Sequence, residues 1–469
     1  MSLTSAYSSS LGGLAAVSTW AEATASNIAN VDRAGYARRQ VLTATGFGGV
    51  AVTRIVADRD AAVERLHRIE VGRVERQEAV ASLVGLYTAR LGQPGDPGGV
   101  AQGLASLQTA VAQAAATPQS DSALSAVVDA ASTLAATIAD ADAALDSVAA
   151  TTETRVAQTV AETNVGLARM AELNARLADP ALSDAQKVGL EDEAVGLLDD
   201  LAALSDVRSS RESGGAFTLF LSEGTVLVRG DAAERLAFDP GSARITTSQG
   251  GETVDVTPGR EGARGAVEGR LAGEVHVLRD VIPRMSDELD SFAQGLVEAL
   301  RSADDTLSVG QPGLLMGDGP EGDGRDGLAA RIVVNPLVRE GGEVWRVRDG
   351  FGAAAPGSVG DGARLLALGD GLASSHSFAA VGDLPVEATL GSYVAALVTS
   401  QQGVRVAAED RVQTLSVGSS AMLAARQDRS GVDLNAELQA LDRLQQSFRA
   451  NSEVVRTLSD MLDTLLAAV

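Results

Sequence analysis

The chain has 469 residues, 45% of them apolar but only 3% aromatic, with a formal net charge of −24. A core drawn from that palette is filled by Ala, Leu and Val, which suits helices better than a β-sandwich, and the length allows roughly three domains. The absence of cysteine excludes a disulfide framework and a thiolate metal site. The acidic balance argues against nucleic-acid binding, which needs clustered Lys and Arg. Met1–Gly92 departs from that balance, with ten Arg against eight acidic residues. Met1-Ser2-Leu3-Thr4-Ser5 has neither the basic nor the apolar region of a cleavable signal, and no run of about 18 apolar residues predicts a membrane span. The expectation is a soluble protein, either cytoplasmic or exported with its N-terminus uncleaved.

Apolar residues at Leu3, Tyr7, Leu11, Leu14, Val17, Ala21, Ala25 and Ile28 predict a first helix. Its steps of three and four give the coiled-coil period of about 3.5. Gly12, Gly13 and the Ser8–Ser10 cluster make it weak alone, each glycine costing about 1 kcal/mol relative to Ala. Past Asp32-Arg33-Ala34-Gly35-Tyr36, the alternation of Val50, Val52 and Ile55 after Gly46-Phe47-Gly48-Gly49 predicts strand. Helical spacing returns from Ala61 to Leu91 and stops at Gly92-Gln93-Pro94-Gly95-Asp96-Pro97. Helices are then predicted over Val100–Ala116, over the Pro-free stretch from Asp121 to Asp179 (several long ones), and over Lys187–Leu204.

From Val207 the period becomes two. Phe217–Leu221 and Thr225–Val228 flank Ser222-Glu223-Gly224 as a hairpin, with strands at Arg244–Thr247 and Thr253–Val256. A long amphipathic helix follows over Leu271–Leu300, with a kink expected at Pro283. Short strands are predicted at Arg331–Val334 and Val344–Val347, and helices at Ala363–Leu368 and Ser392–Ala425. After a break at Asp428–Gly431, the last helix, Leu434–Val469, keeps one heptad row apolar: Leu434, Leu441, Phe448, Val455, Leu462 and Val469. A second row, Leu444, Leu458 and Leu465, is interrupted by Asn451.

The fold class is therefore mainly α with a β-rich middle. The pattern leaves open whether each terminal helix covers its own neighbour or whether the two pair. Pairing gives a terminal coiled-coil domain (1–45 and 430–469), a nested helical-bundle domain (46–206, 271–305 and 361–429) and an inserted β-rich outer domain (207–270 and 306–360).

Catalytic chemistry gains no support. His67, His276 and His376 are the histidines, no G-x-S-x-G elbow accompanies them, and packed or solvated histidine is the expected reading. The acidic run Asp318–Gly327 fails the EF-hand spacing, and Asp-Gly at 349, 361 and 370 reads as turn. Gly360-Asp361-Gly362 lacks the third glycine of a dinucleotide fingerprint, with Leu365 in its place. Neither a cofactor nor a metal is expected.

Ser26-Asn27-Ile28-Ala29-Asn30 with Gly35-Tyr36, Arg38 or Arg39, and Gln40 resembles the N-terminal signature of flagellar rod, hook and hook-associated proteins. Asp32-Arg33-Ala34 stands where that family usually has Asn-Thr-Pro. The closing helix is similar to the family's: Ser430-Gly431-Val432, Leu434, Glu437, Leu441, Gln445, Phe448, Ala450-Asn451, Val454-Val455, Thr457 and Leu462–Leu466. The middle, with its Ala61–Val207 helical block, its hairpin and Val333-Val334-Asn335-Pro336, resembles hook-associated protein 1 within that family.

The resemblance implies a non-enzymatic subunit at the hook–filament junction, exported by the flagellar type III apparatus with the help of a chaperone. It implies a ring of like subunits between hook protein and a second junction protein, with the terminal helices lining the inner tube. Leu11, Leu14, Ile28, Leu441, Phe448, Val455 and Leu462 are then the expected subunit contacts, and Asn27, Asn30, Gly35, Tyr36, Gln445 and Asn451 the family-motif positions. The alternatives are another axial protein, such as hook protein or flagellin, or a secreted coiled-coil adhesin or enzyme. Hook protein would carry β structure in place of the Ala61–Leu204 helices.

Overall fold

A computed structural model describes residues 3–33, 35–46, 49–91, 98–212, 214–319, 322, 324–339 and 342–467. It is about 63% helical, so the chain is mainly α, with small sheets in the middle. The breaker at 92–97, Phe47–Gly48, Ala34, Val469 and part of the acidic run at 318–327 lie outside the described residues.

The first helix, α1 (Leu3–Ala29), is followed by an antiparallel hairpin of β1 (Arg39–Gly46) and β2 (Gly49–Ala57). Then come α2 (Ala61–Leu91), α3 (Val100–Ala116), α4 (Asp121–Leu177) and α5 (Asp184–Leu204). Ser120 caps α4 by accepting from the Ala123 amide, and Ser183 with Gln186 forms a capping box on α5. The several helices predicted over Asp121–Asp179 are one helix of 57 residues, about 85 Å long. Nothing in its sequence stops it. Its one glycine, Gly166, lies against Leu201, where an added Cβ would approach Leu201 Cδ2 to 2.6 Å.

A four-stranded antiparallel sheet joins β3 (Val207–Arg211), β4 (Phe217–Leu221), β5 (Val226–Arg229) and β6 (Ala232–Ala233) in sequence order. A three-stranded one joins β7 (Ala237–Asp239), β8 (Arg244–Gln249) and β9 (Glu252–Asp255). The amphipathic helix that follows is unbroken but not uniform. It runs as α6 (Arg270–His276), a π-helical turn over Val277–Val281, and α7 (Ile282–Ser302). Pro283 has no N–H for the Arg279 carbonyl, so the ladder widens in the turn before it instead of bending at the proline.

Beyond lie β10 (Leu315–Gly317), α8 (Leu328–Arg331), β11 (Ile332–Val334), α9 (Arg346–Asp349), α10 (Ala363–Ala373), β12 (Ser375–Ser377) and β13 (Glu387–Thr389). The strand predicted at Val344–Val347 is a helical turn. Val344 and Val347 stand three apart and both pack on the core, which one face of a helix permits. The last two helices are α11 (Leu390–Ser430) and α12 (Leu434–Ala467). The predicted break at Asp428–Gly431 falls later, at Gly431–Asp433. There Asp433 Oδ1 accepts from the Asn435 and Ala436 amides to start α12.

Two apolar clusters hold the described chain. One gathers the second half of α2, α3, the first half of α4, α7, β10, β11, α10 and the first part of α11. The other gathers the second half of α4, α5, strands β3 to β8, and α6. The segments 207–270 and 306–360, grouped in one β-rich unit from the sequence, pack into different clusters. An 18-residue window of α4 has mean hydropathy 1.4, enough by composition for a membrane span. Its apolar side is instead the wall shared by both clusters.

The antiparallel pair α2–α11 forms the long axis. Tyr87 Oη donates to Gln401 Oε1 at 2.7 Å, and Gln401 Nε2 donates to the Met285 carbonyl (3.1 Å) and to Glu288 Oε2 (3.0 Å), tying in α7. Burial dominates at Glu288 and pushes its carboxyl pKa up. At the other contact of α2, Gly273 of α6 lies so close that an added Cβ would sit 2.3 Å from the Arg76 carbonyl oxygen. Gly273→Ala is therefore expected to lower stability by about 1–3 kcal/mol despite its gain in helix propensity, which urea denaturation of the purified chain would measure.

Candidate subunit interface and the joint beneath it

α1 and α12 lie side by side and antiparallel. Gly13 faces Asn451, with room for a Cβ only at 3.3 Å from Asn451 Oδ1, so a glycine on one helix and the polar break in the second heptad row meet at the same level. Burial in the pair is thin. Among the described side chains of α12, Glu437 alone is buried. Leu14, Ile28, Leu441 and Val455 are half-buried. Leu11 (44%), Phe448 (49%) and Leu462 (38%) stay exposed, as do Leu434, Leu438, Val454 and Met461. On α12 the predicted contact residues share one heptad row in which Leu441 and Val455 are half-buried and Phe448 and Leu462 exposed, so α1 covers that row only in part. Gln445 is exposed.

The motif residues near the N-terminus build a joint. Asn27 is 1% exposed. Its Oδ1 accepts from the Arg39 amide (2.8 Å) and from Tyr36 Oη (2.9 Å), while its Nδ2 donates to the Arg39 carbonyl (3.2 Å). One side chain thereby welds the end of α1 to the start of β1. Gly35, at φ +77°, makes the turn between them. Asn30 Nδ2 donates back to the Ser26 carbonyl at 2.8 Å. Trp20 Nε1 donates to the Val41 carbonyl at 3.3 Å, holding α1 along the hairpin. Burial raises the Tyr36 phenol pKa.

Charges complete the joint, and these the sequence reading missed. Arg38 donates to the buried Glu437 Oε1 at 2.6 Å, and its amide donates to the Ser430 carbonyl at 2.9 Å. The start of the hairpin is thus fixed to both sides of the α11–α12 break. Arg59 binds Glu64 (2.7 Å), Asp192 (2.6 Å) and the Gly35 carbonyl (2.9 Å), and Asp192 also receives Arg39 at 3.5 Å. Asp199 bridges Arg68 (3.2 Å) and Arg426 (2.7 Å). The signal available beforehand was the local excess of Arg in an acidic chain.

Little here can do chemistry. His67 is buried within this network, and burial lowers its pKa. His276 pairs with Asp280 at 2.8 Å, and His376 contacts the Gly371 carbonyl at 2.6 Å. No group of three or more His, Cys, Asp or Glu suited to a metal occurs among the described residues. A cleft of about 350 Å³ opens between α2, α5 and β3. Its charged residues are largely committed to partners, Arg59 and Arg68 as above and Glu191 to Arg211.

Breaking a buried pair leaves an uncompensated charge and costs about 3–5 kcal/mol, whereas an exposed pair is worth less than about 1 kcal/mol. Asp192→Ala, which takes from the largely buried Arg59 and Arg39 the carboxylate they share and leaves Arg59 only the Glu64 carboxylate, should therefore destabilise more than Glu172→Ala at the exposed Arg169 pair, as comparison of the two urea midpoints would show.

Residues 91–305 match the family model described as the flagellar hook-associated protein FlgK helical domain. Among solved structures, the flagellar hook junction protein FlgK from Burkholderia pseudomallei is similar at 20% identity and a TM-score of 0.47, over 54% of this chain and 47% of that one. The match thus spans about half the length of that relative. No curated protein matches the chain. The family-model match takes in α3 to α7 and the sheets between them, the part that holds most of both apolar clusters. Over residues 91–305, just under half of its length, the chain is thus similar to the helical domain of flagellar hook-associated proteins.

Proposed function

We propose that this chain is the subunit that joins hook to filament, assembled as a ring through its terminal helices. The observation that carries the reading is the apolar surface that α1 and α12 leave exposed: Leu11 on α1, Leu434, Phe448 and Leu462 along the heptad row of α12 with Leu438 beside it, and Val454 and Met461 on the other side of that helix. A face of that kind on a structural axial protein suits burial against like helices of neighbouring subunits. Full burial of each large side chain is worth about 1.5–3 kcal/mol, so a few per subunit suffice to drive ordered assembly. The half-buried set, Leu14, Ile28, Leu441 and Val455, would hold the pair within one subunit. Leu11, Phe448 and Leu462 would reach the next.

In this reading residues 1–45 and 430–469 form the axial domain, the helical body carries torque, and the 207–270 unit faces outward. Hook protein lies on one side and a second junction protein on the other. The chain reaches its place through the flagellar export apparatus with a chaperone, and catalysis plays no part. Electron microscopy of cells lacking the gene tests the assignment. Hooks without filaments are expected, whereas normal filaments would overturn it. Insertion of a few residues at Ser222–Gly224, in the β4–β5 turn, should leave motility intact.

The same thin burial bears on the free subunit. With α12 almost wholly exposed and glycines in α1, the terminal segments are expected to gain their full order only on assembly. Limited proteolysis of dilute monomer should trim both ends and leave a core of about 46–429. Amide-exchange protection of both segments in dilute monomer would contradict this.

A further inference from the structure

The buried acid of α6 has no part in the assembly reading. Glu274 is 2% exposed. Thr159 Oγ1 of α4 donates to its Oε1 at 3.2 Å, while its Oε2 is buried without a hydrogen-bond partner. It cannot withdraw, because Gly273 beside it already presses on the α2 backbone.

The charged groups around it are mostly committed elsewhere. On α6, Arg270 binds Glu75 of α2 (3.1 Å) and Glu162 of α4 (3.8 Å), and His276 binds Asp280 of the π-helical turn. On α2, Arg76 pairs with Glu268, and Glu78 is a carboxylate that stands near Glu75. Past α5, Asp206 pairs with Arg208. Arg155 of α4 donates to Ser82 Oγ at 3.2 Å, and among the described residues it has no carboxylate at ion-pair distance. An ionised Glu274 would thus carry a buried charge with one hydrogen bond, an arrangement that costs several kcal/mol. A neutral carboxylic acid in the same space costs less, only the burial of one unpaired polar group.

We propose that Glu274 is a proton-operated latch between α4 and α6, closed as the neutral acid and loosened when the side chain ionises and turns toward Arg155. The position suits such a device. α6 is the seven-residue segment before the π-helical turn, where the backbone ladder is already irregular, and it belongs to the cluster that carries the sheets. Burial is the main cause that raises the Glu274 carboxyl pKa to about 7; the Thr159 hydrogen bond, Arg270 and Arg155 pull it down, and Glu162 adds to the rise. Between the ordinary carboxyl range and about pH 7 the folded chain keeps a proton that the unfolded chain has released. Stability therefore falls as pH rises through that window and levels off above it.

Amide hydrogen exchange of the full chain between about pH 5 and 8.5, corrected for intrinsic rates, tests the latch with Glu274→Gln and Thr159→Val. Wild-type protection over 270–281 should fall by about tenfold for each pH unit in the steep part of the transition. The Gln variant should stay flat. Thr159→Val, which removes the donor favouring the ionised form, should move the midpoint to higher pH. Wild-type protection that does not change with pH, or an equal fall in the Gln variant, overturns the proposal. If the Gln variant does not fold, an unmoved midpoint in Thr159→Val does the same.

Discussion

The antiparallel contact of α2 with α11 places the two ends of a 469-residue chain at one point. Tyr87 meets Gln401 at one end of that contact, and Arg68 and Arg426 share Asp199 at the other. From there the chain enters the hairpin and α1 on one side and α12 on the other. Arg38 closes the gap with its side chain on Glu437 and its amide on Ser430. Without that long contact the terminal helices, thin in burial and weak in propensity, would have no reason to meet.

The joint explains why the N-terminal motif has its composition. Asn27 supplies a carbonyl oxygen and an amide on one planar group, which suits it to satisfy both the amide and the carbonyl of Arg39. Tyr36 fills the space over it, and Gly35 takes the positive φ between. These residues act on backbone geometry and do no chemistry. Their spacing was visible in the sequence, but their task was not: it depends on the turn that brings Arg39 back to Asn27, and on Asp192 and Glu437, which come from far along the chain.

Helical period and turn residues made most of the fold legible: α3 and the β4–β5 hairpin run as their sequences predict, and the apolar steps of α1 and α12 placed a helix at each end. The failures have local physical causes. Val344 and Val347 read as strand because β-branched residues between breakers suggest one, although a step of three brings both to one core only on a helix. The Pro283 kink was displaced because a missing N–H acts on the turn before it. The grouping of 306–360 with 207–270 rested on composition, and composition does not say which wall of α4 a segment packs against. Nothing in the sequence sets Glu274 and Glu288 apart from the exposed acids of other helices, and burial gives them their character.

The β sheets hang on the distal half of α4, and the terminal pair hangs on the far end of α2 and α11. Function as an axial subunit needs the second attachment to be stiff and leaves the first free to vary. The proposed function sets the chain at one level of the flagellum, between hook and filament. Immunogold electron microscopy of intact flagella, with antibodies raised against the 207–270 sheet unit, tests that placement most directly. A single band of label at the hook–filament boundary is the predicted result; label along the filament, along the hook, or absent from the flagellum would contradict it.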